Sequence, residues 1–332
     1  MASRSLATGW TGSIAWRQCA FEPKLDADGL PDRYKSGERK GEIKTRKVPF
    51  FRPSNECDLD ALAAAERRLA ENWPEWEAAG LIPTEQIPSD INDTRPIRYG
   101  MPRWCDLFTS RQLLGHLTLV EELWRMTPAI IAELGEARGR AVVTYLQFAI
   151  DKGVDYNSKQ TRWHYSRGVL IGTFGRHDYS LKWTFGEMIF TGPSSGAAWG
   201  LNQVIDAYTG IATLVEPIYR RVVVGTELPV KILHGTAAHL ADLADHAVDL
   251  VCIDPPYYNN VQYGELSDFY YVWQRRTLRD LYPEVYARRL VNRQEEAVAN
   301  PARDGTEADA AYERMMREIF AECRRVLKPE GR

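Results

Sequence analysis

Asp254-Pro255-Pro256-Tyr257 follows directly on the apolar run VDLVCI at 248–253 and sets a carboxylate, two residues lacking an amide hydrogen and an aromatic ring side by side. A residue before proline is driven into the extended region, and neither proline can donate to a sheet. The spacing therefore predicts that a strand stops here. It leaves the Asp254 carboxylate and the Pro255 carbonyl as two fixed acceptors beside the face of Tyr257. Two acceptors next to a stacking ring suit a planar group with an exocyclic amine, such as adenine N6. Accepting both amine hydrogens lets that nitrogen become more tetrahedral and nucleophilic toward an electrophilic methyl group while the ring stacks on Tyr257. Within a duplex that nitrogen is out of reach, so the base would be flipped out.

The elements that would position these residues lie in the last hundred residues. VKILHG at 230–235 reads as a short strand, TAAHLADLADHA as a short helix and 248–253 as a second buried strand. Strand, helix, strand at this spacing predicts a parallel α/β unit, with ligands beyond the carboxyl ends of the strands. The helix EADAAYERMMREIFAECRRVL follows, with Met316, Ile319, Phe320, Cys323, Val326 and Leu327 on one stripe. The fold class expected is thus α/β, a partial Rossmann-like methyltransferase sheet in the C-terminal third with a mainly helical region before it.

Upstream, residues 1–98 read as an irregular basic region with one helix, 99–225 as mainly helical with a long aromatic loop, and 226–332 as the partial α/β domain. The one helix of the first region is DLDALAAAERRLAENWPEW, capped by Asp58 and broken before Pro74. Thr109-Ser110-Arg111-Gln112 has the pattern of a capping box ahead of a second helix. AAWGLNQVIDAYTGIATLVEPIYRRV is helical up to Pro217. The aromatic segment 158–197 holds Trp163, Lys182 and Trp183, candidates for target recognition only through the family context given next.

DPPY after VDLVCI is the catalytic motif of amino-methyltransferases acting on adenine N6 and some cytosine N4. The longer blocks DPPYYNNVQYGELSDFYYVWQRRTL, YGMPRWCDLFTSRQLL, DYNSKQTRWHYSR and HDYSLKWTFGEM resemble the large adenine-specific DNA methylases that contain a zinc ribbon. The resemblance spans roughly residues 30 to 332. It implies S-adenosyl-L-methionine as cofactor, DNA as partner and substrate, Asp254, Pro255, Pro256 and Tyr257 as catalytic residues, and a restriction-modification or host-defence setting. The chain also departs from that family. The Gly-rich cofactor loop D-P-F-x-G-x-G and the zinc-ribbon cysteines are missing, and Thr236 stands after Gly235 where relatives often carry an acidic residue. Gly235 and Thr236 are the remaining cofactor-binding candidates. The departures imply a C-terminal portion of a longer methyltransferase, or a split subunit that needs a second polypeptide to supply the cofactor loop. Two rivals stay open: a catalytically incomplete DNA-binding remnant, and a methyltransferase acting on cytosine N4, RNA or a protein amide.

For DNA contact, Tyr258, Asn259 and Asn260 either shape the base pocket or cap the following helix. Arg275, Arg276 and Arg279, with Arg288, Arg289 and Arg293, either hold phosphates or form a solvated face. Glu265 and Asp268 orient the base or favour the helix dipole. Phe269, Tyr270, Tyr271 and Trp273 read as core. The basic run with Arg33, Lys35, Arg39, Lys40, Lys44, Arg46 and Lys47 is either a phosphate-binding or a solvated segment.

Composition narrows the classes further. The 332 residues carry a formal net charge of −3, so any nucleic-acid surface must be local. Five scattered cysteines form no C-x-x-C pair and the histidines no metal-ligand spacing. No apolar run approaches the roughly 18 residues of a membrane helix. The expectation is a cytoplasmic chain with reduced thiols and no metal.

Overall fold

The computed structural model describes residues 16–164, 166–167, 169–179, 185–192, 196–220 and 230–332. Lys182 and Trp183 lie outside the described residues, as do the side chains of Arg46 and Lys47. The chain divides into two compact units, Met1–Arg68 with Tyr165–Gly168, and Leu69–His164 with Val169–Arg332.

In the first unit, β1 (Trp16–Pro23) and β2 (Thr45–Arg52) pair antiparallel, in a register that sets Trp16 opposite Arg52 and Pro23 opposite Thr45. The connecting segment is tied to itself through its basic residues. Lys44 meets Asp32 at 2.9 Å, Arg33 donates to the Gly41 carbonyl at 2.6 Å, and Arg39 pairs with Glu42 while lying over the Tyr34 ring. Helix α1 (Glu56–Ala78) begins at Asn55, not at Asp58. Asn55 Oδ1 accepts from the Asp58 amide and Asp58 Oδ2 from the Asn55 amide, a reciprocal cap that makes Asp58 the third helical residue. Pro74 sits inside the helix and does not end it.

The second unit is helical. After the single turn α2 (Arg95–Arg98) and a 3-10 turn (Trp104–Leu107), α3 (Ser110–Leu134) starts on the expected capping box. Thr109 Oγ1 accepts from the Gln112 amide at 3.2 Å, and Gln112 Oε1 from the Thr109 amide at 2.9 Å. Gly135, at φ 76°, turns the chain into α4 (Glu136–Tyr156) in a single residue, which only glycine does without strain. A short hairpin, β3 (Arg162–His164) with β4 (Val169–Ile171), precedes α5 (Gly196–Tyr219), and that helix runs past Pro217. α6 (Tyr263–Leu278), α7 (Pro301–Asp304) and α8 (Ala308–Val326) complete the unit.

The core lies where α3, α4 and α6 meet, with Trp76, Trp104 and Tyr179 closing it. Phe108 is its centre: its ring stacks on Phe269 at 5.7 Å and meets the edges of Trp273 and His116, each at 5.3 Å. Burying each such side chain contributes roughly 1.5–3 kcal/mol. Phe269 and Trp273 are buried in this core.

The expected α/β fold is overturned. The only named strands among the described residues are the two antiparallel pairs, and no parallel sheet of the Rossmann type is present among them. Residues 230–235 and 248–253 form no strands, and 236–247 is a series of turns where a helix was expected. A strand needs a hydrogen-bonded neighbour about 4.8 Å away. Residues 248–251 find one only in the segment after α8, as a single parallel bridge between Val248 and Leu327. Apolar side chains of both runs therefore stay in solvent, Ile232 at 92% and Leu250 at 65% exposure, while Val248 and Val251 are half-buried. α8 instead holds the turns: Arg325 donates to the carbonyls of Leu240 and Leu243 and pairs with Asp245. Its expected stripe is also only partly inward, since Met316 and Val326 are buried and Phe320 is exposed.

Candidate functional site

Residues 248–251 approach the site along the end of α8. The Val248 amide donates to the Val326 carbonyl at 2.9 Å, and the Val251 amide to the Arg332 carbonyl at 2.8 Å. Past Ile253 the two prolines offer no amide, and the Pro255 carbonyl accepts no hydrogen bond among the described residues. The Pro256 carbonyl, in contrast, is taken. It accepts from the Tyr312 hydroxyl at 2.8 Å and from the Tyr258 amide at 3.2 Å.

Tyr258 has φ 57°, the left-handed region that a bulky residue adopts only when its surroundings impose it. Those surroundings are visible. The Tyr258 ring meets the Tyr312 ring edge-on at 5.1 Å, and its carbonyl accepts from the Ala299 amide at 3.1 Å. Tyr257 stands 65% exposed and donates its hydroxyl to Asp254 Oδ1 at 2.8 Å. That bond to the carboxylate raises the Tyr257 phenol above its ordinary range. Asp254 and Tyr257 thus form a paired, solvent-facing acceptor and ring, and Asp254 Oδ2 receives no hydrogen bond from the described residues.

Three residues further on, Asn260 enters a polar cleft of about 390 Å³ with walls from two distant stretches of sequence. One wall is Asn260, Gln262, Glu265 and Leu266; the other is 92–95 with Arg98, His177 and Asp178. Glu265 is buried at the base of α6. It accepts from the Asn92 amide and side chain, the latter at 2.7 Å, and from Asn300 Nδ2 at 3.2 Å. A Cβ at Gly264 would come within 2.7 Å of Arg293 Cγ and the Glu296 carboxylate, so a larger residue there would force those side chains to move. Arg95 is fixed by Asp93 and Asp178, which raise its guanidinium well above the usual range. Arg98 is exposed and has no acidic partner among the described residues. Sequence reasoning missed Asn92, Arg98 and Gln262. The turn-rich stretch SDINDTRP at 89–96 was the only available signal.

Of the residues expected at DNA, Asn260 and Tyr258 lie at the turn and its cleft. The arginines separate. Arg276 is interior, its side chain 4% exposed, and binds Glu85 through two 2.7 Å contacts together with the Ile82 carbonyl. It belongs to the packing of α6 and is closed to phosphate. Arg275 donates to the Tyr286 and Arg288 carbonyls, whereas Arg279, beside Asp280, is exposed, as are Arg288 and Arg289. Asp268, expected near the base, is buried, accepts from the Val291 amide at 2.7 Å and is pushed by burial up to about 6.

The described residues do not fit S-adenosyl-L-methionine at the expected place. Gly235 lies on an exposed turn where a Cβ would meet nothing within 4 Å, so no cradle closes over it. The Thr236 hydroxyl already accepts from the Ala238 amide, and the residue turns the chain through the His239 amide. Neither position gathers donors for a ribose or a carboxylate.

Among the described residues no three His, Cys, Asp or Glu side chains gather as a metal would require. No helix among them is long and apolar enough to cross a membrane. No protein-family model matches the chain, and neither a curated protein nor a solved structure does.

Proposed function

We propose that this chain binds an exocyclic amine of a nucleobase in DNA, adenine N6 first, as the acceptor-binding part of an S-adenosyl-L-methionine-dependent methyltransferase. The observation that supports the reading is the pair formed by Asp254 and Tyr257. Among the described residues, a carboxylate with an open oxygen, an unpaired Pro255 carbonyl and an exposed ring stand together on a turn clamped from behind by Tyr312. Two acceptors and a stacking face recognise an amine-bearing base in single-stranded or flipped form. Gly235 and Thr236 do not form a seat for the methyl donor, and a second polypeptide would supply its site.

The test is fluorescence anisotropy with single-stranded thymidine 12-mers that contain one adenine or none. Tighter binding of the adenine strand, by about fivefold or more as stacking energies imply, and loss of that preference in Asp254→Ala are the expected results. Equal binding of both strands by the wild-type chain overturns the reading.

A further inference from the structure

We infer that the cleft between α2 and the start of α6 is a second nucleobase subsite, taking the amine edge of the base beside the methylated adenine. This deepens the proposed function and rests on its placement of DNA at the 254–257 turn. Four observations carry it. The cleft begins at Asn260, whose amide donates to the Tyr257 carbonyl at 3.0 Å, so it adjoins that turn through three residues of chain. Its volume, about 390 Å³, lies within the range of small-ligand sites.

Its inner wall is rich in acceptors. Gln262 Nε2 donates to the Ala299 carbonyl at 3.2 Å, while its Oε1 is buried without a partner among the described residues. A buried acceptor left unpaired is costly and is normally satisfied by something. Glu265, next to it, is a buried carboxylate with only amide donors and no Lys or Arg partner among the described residues. Together they would accept from an amino group such as cytosine N4 or adenine N6, the pairing that carboxylates and amides make with bases.

The mouth of the cleft carries the opposite chemistry. Arg95 is spent on Asp93 and Asp178, whereas Arg98 stands exposed without an acidic partner among the described residues. Acceptors inside and a cation at the rim match a nucleotide, which brings an amine edge and a phosphate together. A lysine or arginine side chain of a protein partner would satisfy the inner acceptors but meet repulsion from Arg98 at the entrance.

The experiment uses the full chain and 5′-labelled single-stranded thymidine 12-mers in which the residue on either side of one adenine is cytosine or thymine. Cytosine has the exocyclic amine and thymine lacks it. The expected result is roughly tenfold tighter binding with cytosine on one side, a preference that Gln262→Leu abolishes while the dependence on adenine persists. Arg98→Ala, at an exposed position, is expected to weaken every strand alike and to flatten the salt dependence. A wild-type chain indifferent to the neighbour, or a preference that survives Gln262→Leu, overturns the subsite. Loss of adenine dependence alone, with the cytosine preference intact, overturns the reading of the 254–257 turn and leaves the subsite standing.

Discussion

The Tyr312 hydroxyl donates to the Pro256 carbonyl at 2.8 Å, joining α8 to the proline turn across 56 residues of sequence. The same ring packs against Tyr258 in its left-handed conformation, so one side chain both anchors the turn and maintains its reversal. Without the anchor the turn would keep its prolines but lose the direction in which it presents the Asp254 carboxylate.

Tyr312→Phe should therefore act on binding more than on folding. Losing one partly buried hydrogen bond costs about 1 kcal/mol of stability. The adenine preference in single-strand binding should fall severalfold. Denaturant titration and anisotropy on the same sample check both, and a variant with unchanged preference would show that the turn sets itself without α8.

Arg276→Ala should unfold the chain more readily without a specific effect on DNA. It strands Glu85 as an unpaired carboxylate in the interior, at a cost of about 3–5 kcal/mol. Arg279→Ala, at an exposed position, should be within about 0.5 kcal/mol of the wild type. Urea midpoints distinguish them, and equal midpoints would contradict the interior placement of the ion pair.

Phe108→Ala removes the ring around which Phe269, Trp273 and His116 are arranged. The expected loss is about 3–5 kcal/mol. The near-ultraviolet circular dichroism of the aromatic cluster should collapse with it. A retained signal and a small loss would place the centre of the core elsewhere.

Asp151 gives the chain a pH dependence of definite sign. It is buried between α4 and α6, accepts from Gln147 Nε2 at 2.8 Å and Gln274 Nε2 at 2.7 Å, and burial pushes its carboxyl up to about 7. The folded chain keeps that proton through a range in which the unfolded chain, with its carboxyl near 3.8, has lost it. Stability from this group is full below the unfolded value and is lost as pH rises to about 7. His116 works the other way. Burial holds it down to about 4, so its neutral ring favours the folded state above 6.5 and loses that advantage as the solution is acidified. In the stability of Asp151→Asn minus that of the wild type the His116 contribution cancels. That difference should climb from pH 4 to pH 7 and then level off. A flat difference would contradict the buried, protonated Asp151.

What the sequence made legible was local. The Thr109 and Gln112 cap that starts α3 depends on neighbours a few residues away. The parallel sheet was inferred from β-branched runs at 230–235 and 248–253, and such runs signal a strand only if a partner lies alongside. The cleft depends on contacts that no short window contains, since Glu265 meets Asn92 across 173 residues. Arg276 failed for the same reason: its charge pattern suits a solvated helix face, and its partner Glu85 is 191 residues away. Asn55 was missed as a cap because Asp58 fits the same rule, and only the reciprocal hydrogen bonds decide between them.

The most direct measurement compares two single-stranded 12-mers that differ at one position, adenine in one and purine, the same ring without its amine, in the other. If Asp254 and Pro255 accept the amine hydrogens, the adenine strand binds roughly tenfold tighter, in line with one good base contact, and Asp254→Ala binds both strands alike. Equal affinity of the wild-type chain for adenine and purine would mean that the 254–257 turn does not read an exocyclic amine, and the account of the site would fail.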